Sequence, residues 1–154
     1  MRSVPWKEWV GALGVILSLL FVGFQIRQNT QVARGQTRQN LAALNQEWLI
    51  LQSGDTEFHA LWRRAWVDGD TTLSPSESSR SNFMMLLNLR RLENVYFQFS
   101  EGLVDESALS SYGLQPSAAI LTVYRSPRFR SYWTETRGSF HPDFVRFFEA
   151  QVGP

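Results

Sequence analysis

Between Trp9 and Ile26 the chain reads WVGALGVILSLLFVGFQI, eighteen positions without a charged residue. At about 1.5 Å per helical residue this stretch spans roughly 27 Å, close to the hydrocarbon thickness of a bilayer. Trp6 and Trp9 at one end and Arg27, Arg34 and Arg38 past the other fit interfacial aromatic and basic anchors, the arginines being placed to touch anionic headgroups. Two other readings compete: a buried core helix, and a cleaved signal peptide. The second needs small residues at positions −3 and −1 of a cleavage site, and Phe24, Gln25, Ile26 and Arg27 supply no such pair. The pattern therefore predicts a retained transmembrane anchor over residues 1–26. Within it Gly14 and Ser18, four apart, make a small-xxx-small face through which copies could associate.

Past Ile26 the polarity changes while the helical character continues. Residues 25–52 are rich in Gln and Asn, and no proline follows until Pro75, so one helix is predicted to leave the membrane as a polar stalk over residues 27–40. Leu41, Leu44, Trp48 and Leu51 then recur at spacings of three and four, which paints one helix face apolar and joins the stalk to a bundle domain over residues 41–154. Gly35 is the candidate hinge between the two, at a cost of up to about 1 kcal/mol relative to Ala.

The remainder is punctuated by helix start and stop signals and contains no alternating strand pattern. Ser53-Gly54-Asp55 opens a short helix carrying Phe58, Leu61, Trp62 and Ala65, which stops near Gly69. Ser74-Pro75-Ser76-Glu77 has the form of a capping box with proline at the first helical position, and predicts a long helix up to Gly102. Asp105 caps a fourth helix, Pro116 kinks or divides it, and Ser126-Pro127 starts the next. Gly138 closes that helix, and Pro142 begins a last one whose Phe144, Val145, Phe147, Phe148 and Val152 are expected to dock on the core. The fold class is all-α: a single N-terminal transmembrane helix continuing into a stalk, followed by a small helical bundle.

Composition narrows the chemistry. The chain has 154 residues, 15 basic and 14 acidic side chains and no cysteine, which removes disulfides, thiolate metal sites and cysteine nucleophiles. Residues 1–54 carry a charge of +3 and residues 55–154 a charge of −2. The short leading tail holds Arg2 and Lys7, while the trailing side holds Arg27, Arg34 and Arg38 with no acid before Glu47, which tilts the C-terminal domain toward the cytoplasm. His59 and His141 stand alone, and Asp55 with His59 is too sparse for a metal site. Neither a glycine-rich phosphate loop nor a G-x-S-x-G elbow occurs. The aromatic and basic runs Trp62 to Trp66 and Tyr124 to Arg130 are read as core and surface rather than as a nucleic-acid face, since Asp68, Asp70 and Glu135 dilute the field. No cofactor is implied.

One polar group stands out in an apolar helix. Arg90, Glu93 and Asn94 share a helix face, and an arginine-held carboxylate there reads as an internal structural clamp rather than as a catalytic acid or base. A pocket between bundle helices is expected near Trp62, Tyr96 and Trp133.

The segments FVGFQIRQNTQ, LRRLENVYFQFSEG, YRSPRFRSYW and SFHPDF together resemble a group of small uncharacterised bacterial proteins with one N-terminal transmembrane helix and an all-helical C-terminal domain. That resemblance implies a bacterial protein with this single-anchor layout and brings no activity, cofactor or partner; the apolar stretch is read as lying in the inner membrane. The sequence thus reads as a single-pass membrane protein acting as an interaction or accessory module, in contact with the bilayer and another membrane or cytoplasmic protein. The alternative is a membrane-tethered sensor of a small apolar ligand. No catalytic constellation is recognised, and the reading is non-enzymatic, with a new kind of site left open.

Overall fold

The computed structural model describes residues 6–153, apart from the side chains of Lys7 and Glu8; Arg2, used above for orientation, lies outside the described residues. Every regular element among them is helical, as the hydrophobic pattern requires. The first helix, α1 (Trp6–Gly54), runs 49 residues without interruption, about 73 Å. Gly35 does not break it: a methyl group at that position would meet nothing within 4 Å, so nothing there forces a hinge. The N-terminal part of α1 is long and apolar enough to cross a membrane, and none of that stretch is buried against the rest of the protein. Val10, Leu13, Ile16, Leu20 and Phe24 are all more than half exposed, the opposite of what a buried core helix would show.

The far end of α1 is a wall of the domain. Leu41 is buried, and Asn45, Trp48 and Gln52 are half-buried on the same side. After it come α2 (Thr56–Trp62), α3 (Pro75–Ser100), α4 (Glu106–Ser111), α5 (Ala118–Tyr124), α6 (Pro127–Thr136) and α7 (Pro142–Val152). Asp55 caps α2 by accepting from the Phe58 amide at 2.9 Å. The helix then widens into a π turn over Arg63–Val67, where the Asp68 amide reaches back to the Arg63 carbonyl. This wider turn, which the 3.6-residue pattern does not announce, accompanies full burial of Ala65 and Trp66, with the Trp66 indole donating to the Ser81 carbonyl at 3.1 Å. Gly69, at φ +67°, ends the segment in a conformation that suits glycine.

α3 is the centre of the domain and packs against α1, α2, α4 and α7. Its buried positions Ser81, Met84, Met85, Asn88, Leu89, Leu92 and Val95 follow the three-and-four spacing of one helix face. Pro116 lies between α4 and α5 and separates them. The C-terminal aromatics complete the core: Phe144, Phe148 and Val152 are buried, and Phe148 lies 5.0 Å from the Trp133 ring and 5.2 Å from Tyr124. Arg125 Nε donates to the Val152 carbonyl at 2.8 Å, satisfying an end of α7 that has no further turn.

The capping box at the head of α3 is part of a larger polar cluster. Ser74 accepts from the Glu77 amide, and the Glu77 carboxylate accepts from the Ser74 amide and hydroxyl, both at 2.8 Å. Arg64 bridges Glu77 at 2.7 Å and Asp70 at 2.8 Å. Hydrogen bonds from Thr72, then Arg64, hold the Asp70 carboxyl at about 2, and the Ser74 amide and hydroxyl, then Arg64, do the same for Glu77. Because both values are depressed in the folded state, the stabilisation is complete above pH 4.5 and is lost as pH falls toward 2. The melting temperature should therefore drop across that interval, and the drop should be shallower in Glu77→Gln. Parallel pH profiles for the two proteins would remove Glu77 from the acid response.

Candidate functional site

Along α1 the anchor residues are distributed as follows. Trp6 and Trp9 are exposed at 71% and 68%, free to meet an interface, and Arg27 and Arg34 are exposed beyond the apolar stretch. Arg38 behaves differently from its sequence reading as a headgroup contact. It sits about 18 Å past Ile26 along the helix and its guanidinium pairs with Asp105 at 2.6 Å, so it joins the stalk to the head of α4. Gly14 and Ser18 are both exposed, and the Ser18 hydroxyl is satisfied within the helix by the Gly14 carbonyl at 2.9 Å.

Of the predicted clamp, Arg90 and Glu93 meet and Asn94 does not join them. Arg90 Nη1 donates to Glu93 Oε2 at 2.7 Å, and Glu93, which is buried, accepts with its other oxygen from the His141 amide at 2.9 Å. Arg90 also donates to the Ser139 carbonyl at 3.0 Å and lies 4.2 Å over the Phe140 ring. The third member is therefore the 139–141 turn, from which α7 starts. Asn94 accepts instead from Gln98 at 3.3 Å, four residues along the same helix. His141 is the N-cap of α7, its Nδ1 accepting from the Asp143 amide at 3.2 Å.

The three aromatics expected to line one pocket are dispersed. Trp62 packs edge-on against Trp48 at 5.4 Å, Tyr96 lies against Phe147 at 4.9 Å, and Trp133 stacks on Phe129 while its indole donates to Glu149 at 3.0 Å. Trp133 borders an open cleft of about 480 Å³ with Arg130, Arg137 and Glu149. Trp62 borders another of about 310 Å³ with Trp48, Asn88, Arg91 and Tyr124. Each ring is recruited to a different part of the core because the apolar faces that carry them belong to helices pointing different ways.

Two features have no role in the sequence reading. The first is Arg91, which lies in the same polar run as Arg90 and Glu93. It donates to Asn45 at 3.0 Å, to the Tyr112 carbonyl at 2.9 Å and to Asn88 at 3.1 Å, and its charge lies 5.8 Å from the Trp48 ring. All these partners are neutral, no carboxylate pairs with it among the described residues, and its buried Nε has no hydrogen-bond partner. Burial lowers its pKa, yet a guanidinium remains charged under any physiological condition. The second is an apolar groove between α1 and α3, about 290 Å³, lined by Leu44, Trp48 and Leu51 on one side and Leu87, Arg90 and Asn94 on the other. Leu44 and Leu51 are 42% and 41% exposed and Leu87 is 60% exposed; Phe83, one turn earlier on the same face of α3, is 64% exposed. The spacing that revealed Leu44 and Leu51 assigned them to the core, whereas only their neighbours Leu41 and Trp48 turn inward.

Among the described residues no group of three or more His, Asp or Glu side chains is arranged to hold a metal ion. No known family matches the chain, and neither a curated protein nor a solved structure does.

Glu93 joins two helices 48 residues apart, so its charge should matter to stability. Glu93→Gln is expected to cost about 1–3 kcal/mol in urea unfolding, while Asn94→Ala should stay within about 0.5 kcal/mol. Equal costs for the two would show that no clamp exists.

Proposed function

We propose that the protein is a single-pass bacterial inner-membrane protein whose cytoplasmic helical domain acts as an interaction or accessory module, taking an amphipathic helix of a partner protein into the groove between α1 and α3. The observation that carries this reading is the exposure of Leu44, Leu51, Phe83 and Leu87 on two adjacent helices. Apolar residues seven apart on the α1 wall and four apart on the α3 wall form the ridges between which a third helix packs. Covering the part of each such side chain that is still exposed contributes on the order of 1 kcal/mol of apolar burial. Glu47 on one wall and Arg90 and Arg91 on the other give the groove rims of opposite sign, which favours one direction of an incoming charged helix. Arg27 and Arg34 on the trailing side of the anchor support the cytoplasmic placement.

The test is purification of the full-length protein from native membranes in mild detergent, followed by mass spectrometry of what stays bound. A stoichiometric second protein is expected, and it should be lost from a Phe83→Ser/Leu87→Glu variant whose melting temperature is not lowered. Recovery without a partner protein, or retention by the variant, would defeat the groove reading. An alkaline phosphatase fusion to Pro154 should be inactive; activity outside the inner membrane would reverse the orientation.

Arg91 favours a second reading, a membrane-tethered sensor. A cation with only neutral partners, beside a cleft walled by Trp48, Trp62, Ile120 and Val123, matches a small apolar molecule ending in a carboxylate. Decanoate should then raise the melting temperature of the wild type and not of Arg91→Gln, with decanol inert toward both. An equal response to decanoate and decanol would exclude Arg91 from ligand recognition.

A further inference from the structure

The side of α1 that faces away from the domain has no partner among the described residues and, from Gly11 to Ile50, no charge. With Val15 taken as heptad position a, the a positions are Val15, Val22, Asn29, Gln36, Ala43 and Ile50, and the d positions are Gly11, Ser18, Gln25, Val32, Gln39 and Gln46. All twelve are exposed, and they lie on one continuous helix without a break. From this we infer that α1 pairs in parallel with α1 of a second copy of the chain, through a seam that begins in the apolar stretch and continues up the stalk.

The placement of charge selects a second copy as the occupant. Between Trp9 and Gly54, α1 carries four charged residues: Arg27 and Arg34 fall at f, Arg38 at c and Glu47 at e. The arginines are thus on the outer faces of a parallel pair, where two identical cationic helices do not oppose each other. An uncharged, amide-rich seam is complementary to itself, since each Asn or Gln offers a donor and an acceptor to the same residue across the two-fold axis. A buried polar residue at an a position fixes register in parallel coiled coils, and Asn29 and Gln36 occupy a positions here, flanked by β-branched Val15 and Val22 on one side and by Ala43 and Ile50 on the other. In the apolar stretch, methyl groups at Gly11 or Gly14 would meet nothing within 4 Å, leaving room for a helix to approach. The parallel direction rests on the membrane anchoring proposed above: anchoring in one membrane sets both copies in the same direction and depth, which removes the antiparallel alternative.

The geometry of the domain is compatible. Leu41 and Trp48, which join α1 to its own domain, fall at f, so two domains would project away from the axis on opposite sides. Leu44 and Leu51 fall at b, outside the seam. The pairing is therefore separate from the groove between α1 and α3, and the failure of either leaves the other standing.

The absence of cysteine gives a clean background for the test. Single-cysteine full-length chains carrying Val32→Cys, Ala43→Cys or Arg34→Cys are oxidised with copper phenanthroline in native membranes. The d and a variants should yield a species of twice the 17.7 kDa chain mass, and the f variant should remain monomeric. Adding Asn29→Lys to Val32→Cys should abolish the dimer, and Asn29→Gln should preserve it. Equal cross-linking at all three positions, none at any, or a product whose mass shows a different protein would each overturn the inference.

Discussion

The architecture depends on one continuous helix whose N-terminal part is long and apolar enough to cross a membrane and whose remainder is polar. A segment in hydrocarbon must satisfy each backbone amide within itself, which an uninterrupted helix does. Beyond Ile26, Gln and Asn, with no proline before Pro75, let the same helix continue with a polar surface. Because it does not break, the azimuth of every side chain from Trp6 to Gly54 is fixed relative to the others. The domain docks on the face of Leu41, Asn45 and Trp48, and this choice decides which residues of the apolar stretch lie above it and which lie opposite.

Given that wall, the domain faces a second problem: its helices are short, and their ends must be tied to elements distant in sequence. Arginine does this repeatedly. Arg91 holds α1, α3 and the end of α4 through Asn45, Asn88 and the Tyr112 carbonyl, while Arg90 with Glu93 holds the start of α7. Arg128 reaches Ser81 at 3.0 Å while lying 4.8 Å over the Trp66 ring. A planar guanidinium with five donors can bind several neutral acceptors and an aromatic face together, which a lysine ammonium cannot match. Most of these contacts use carbonyl or amide oxygens, so the domain holds together with few buried carboxylates and avoids much of the desolvation cost of internal ion pairs.

What could be read from the sequence follows the range of the forces involved. Helix starts at Ser74-Pro75, Ser126-Pro127 and His141-Pro142 were legible because a cap is made by residues within three positions of one another, and all three caps form. The apolar stretch was legible because its length alone meets a physical threshold. The π turn at Arg63–Val67 was not, since it depends on seating Trp66 against a helix that begins eight residues after the turn. The same limit explains the clamp: spacing on one helix paired Arg90 with Glu93 correctly, but offered Asn94 as the third member when the His141 amide, 48 residues on, takes that place. Trp62, Tyr96 and Trp133 show it again, because aromatic content says that a core exists and not which rings share a wall.

A rigid α1 also restricts how anything bound to the domain can be felt at the membrane. A helix without a hinge transmits little by bending, and Gly35 introduces none. A bound partner or ligand can bias an equilibrium only through different affinities for its two states. On the pairing inferred above, the two states to compare are α1 alone and α1 paired, and that pairing would alter neither the groove nor the Arg91 cleft directly. Coupling would then require an occupant large enough to reach across the axis from one domain to the other. A partner helix lying in the groove beside Leu44 and Leu51 meets that condition more readily than a small molecule enclosed beside Trp48 and Trp62. The groove and the seam therefore belong to one reading of the protein as an assembly element, and the Arg91 cleft belongs to another in which the signal must pass through the packing of α1 against α3.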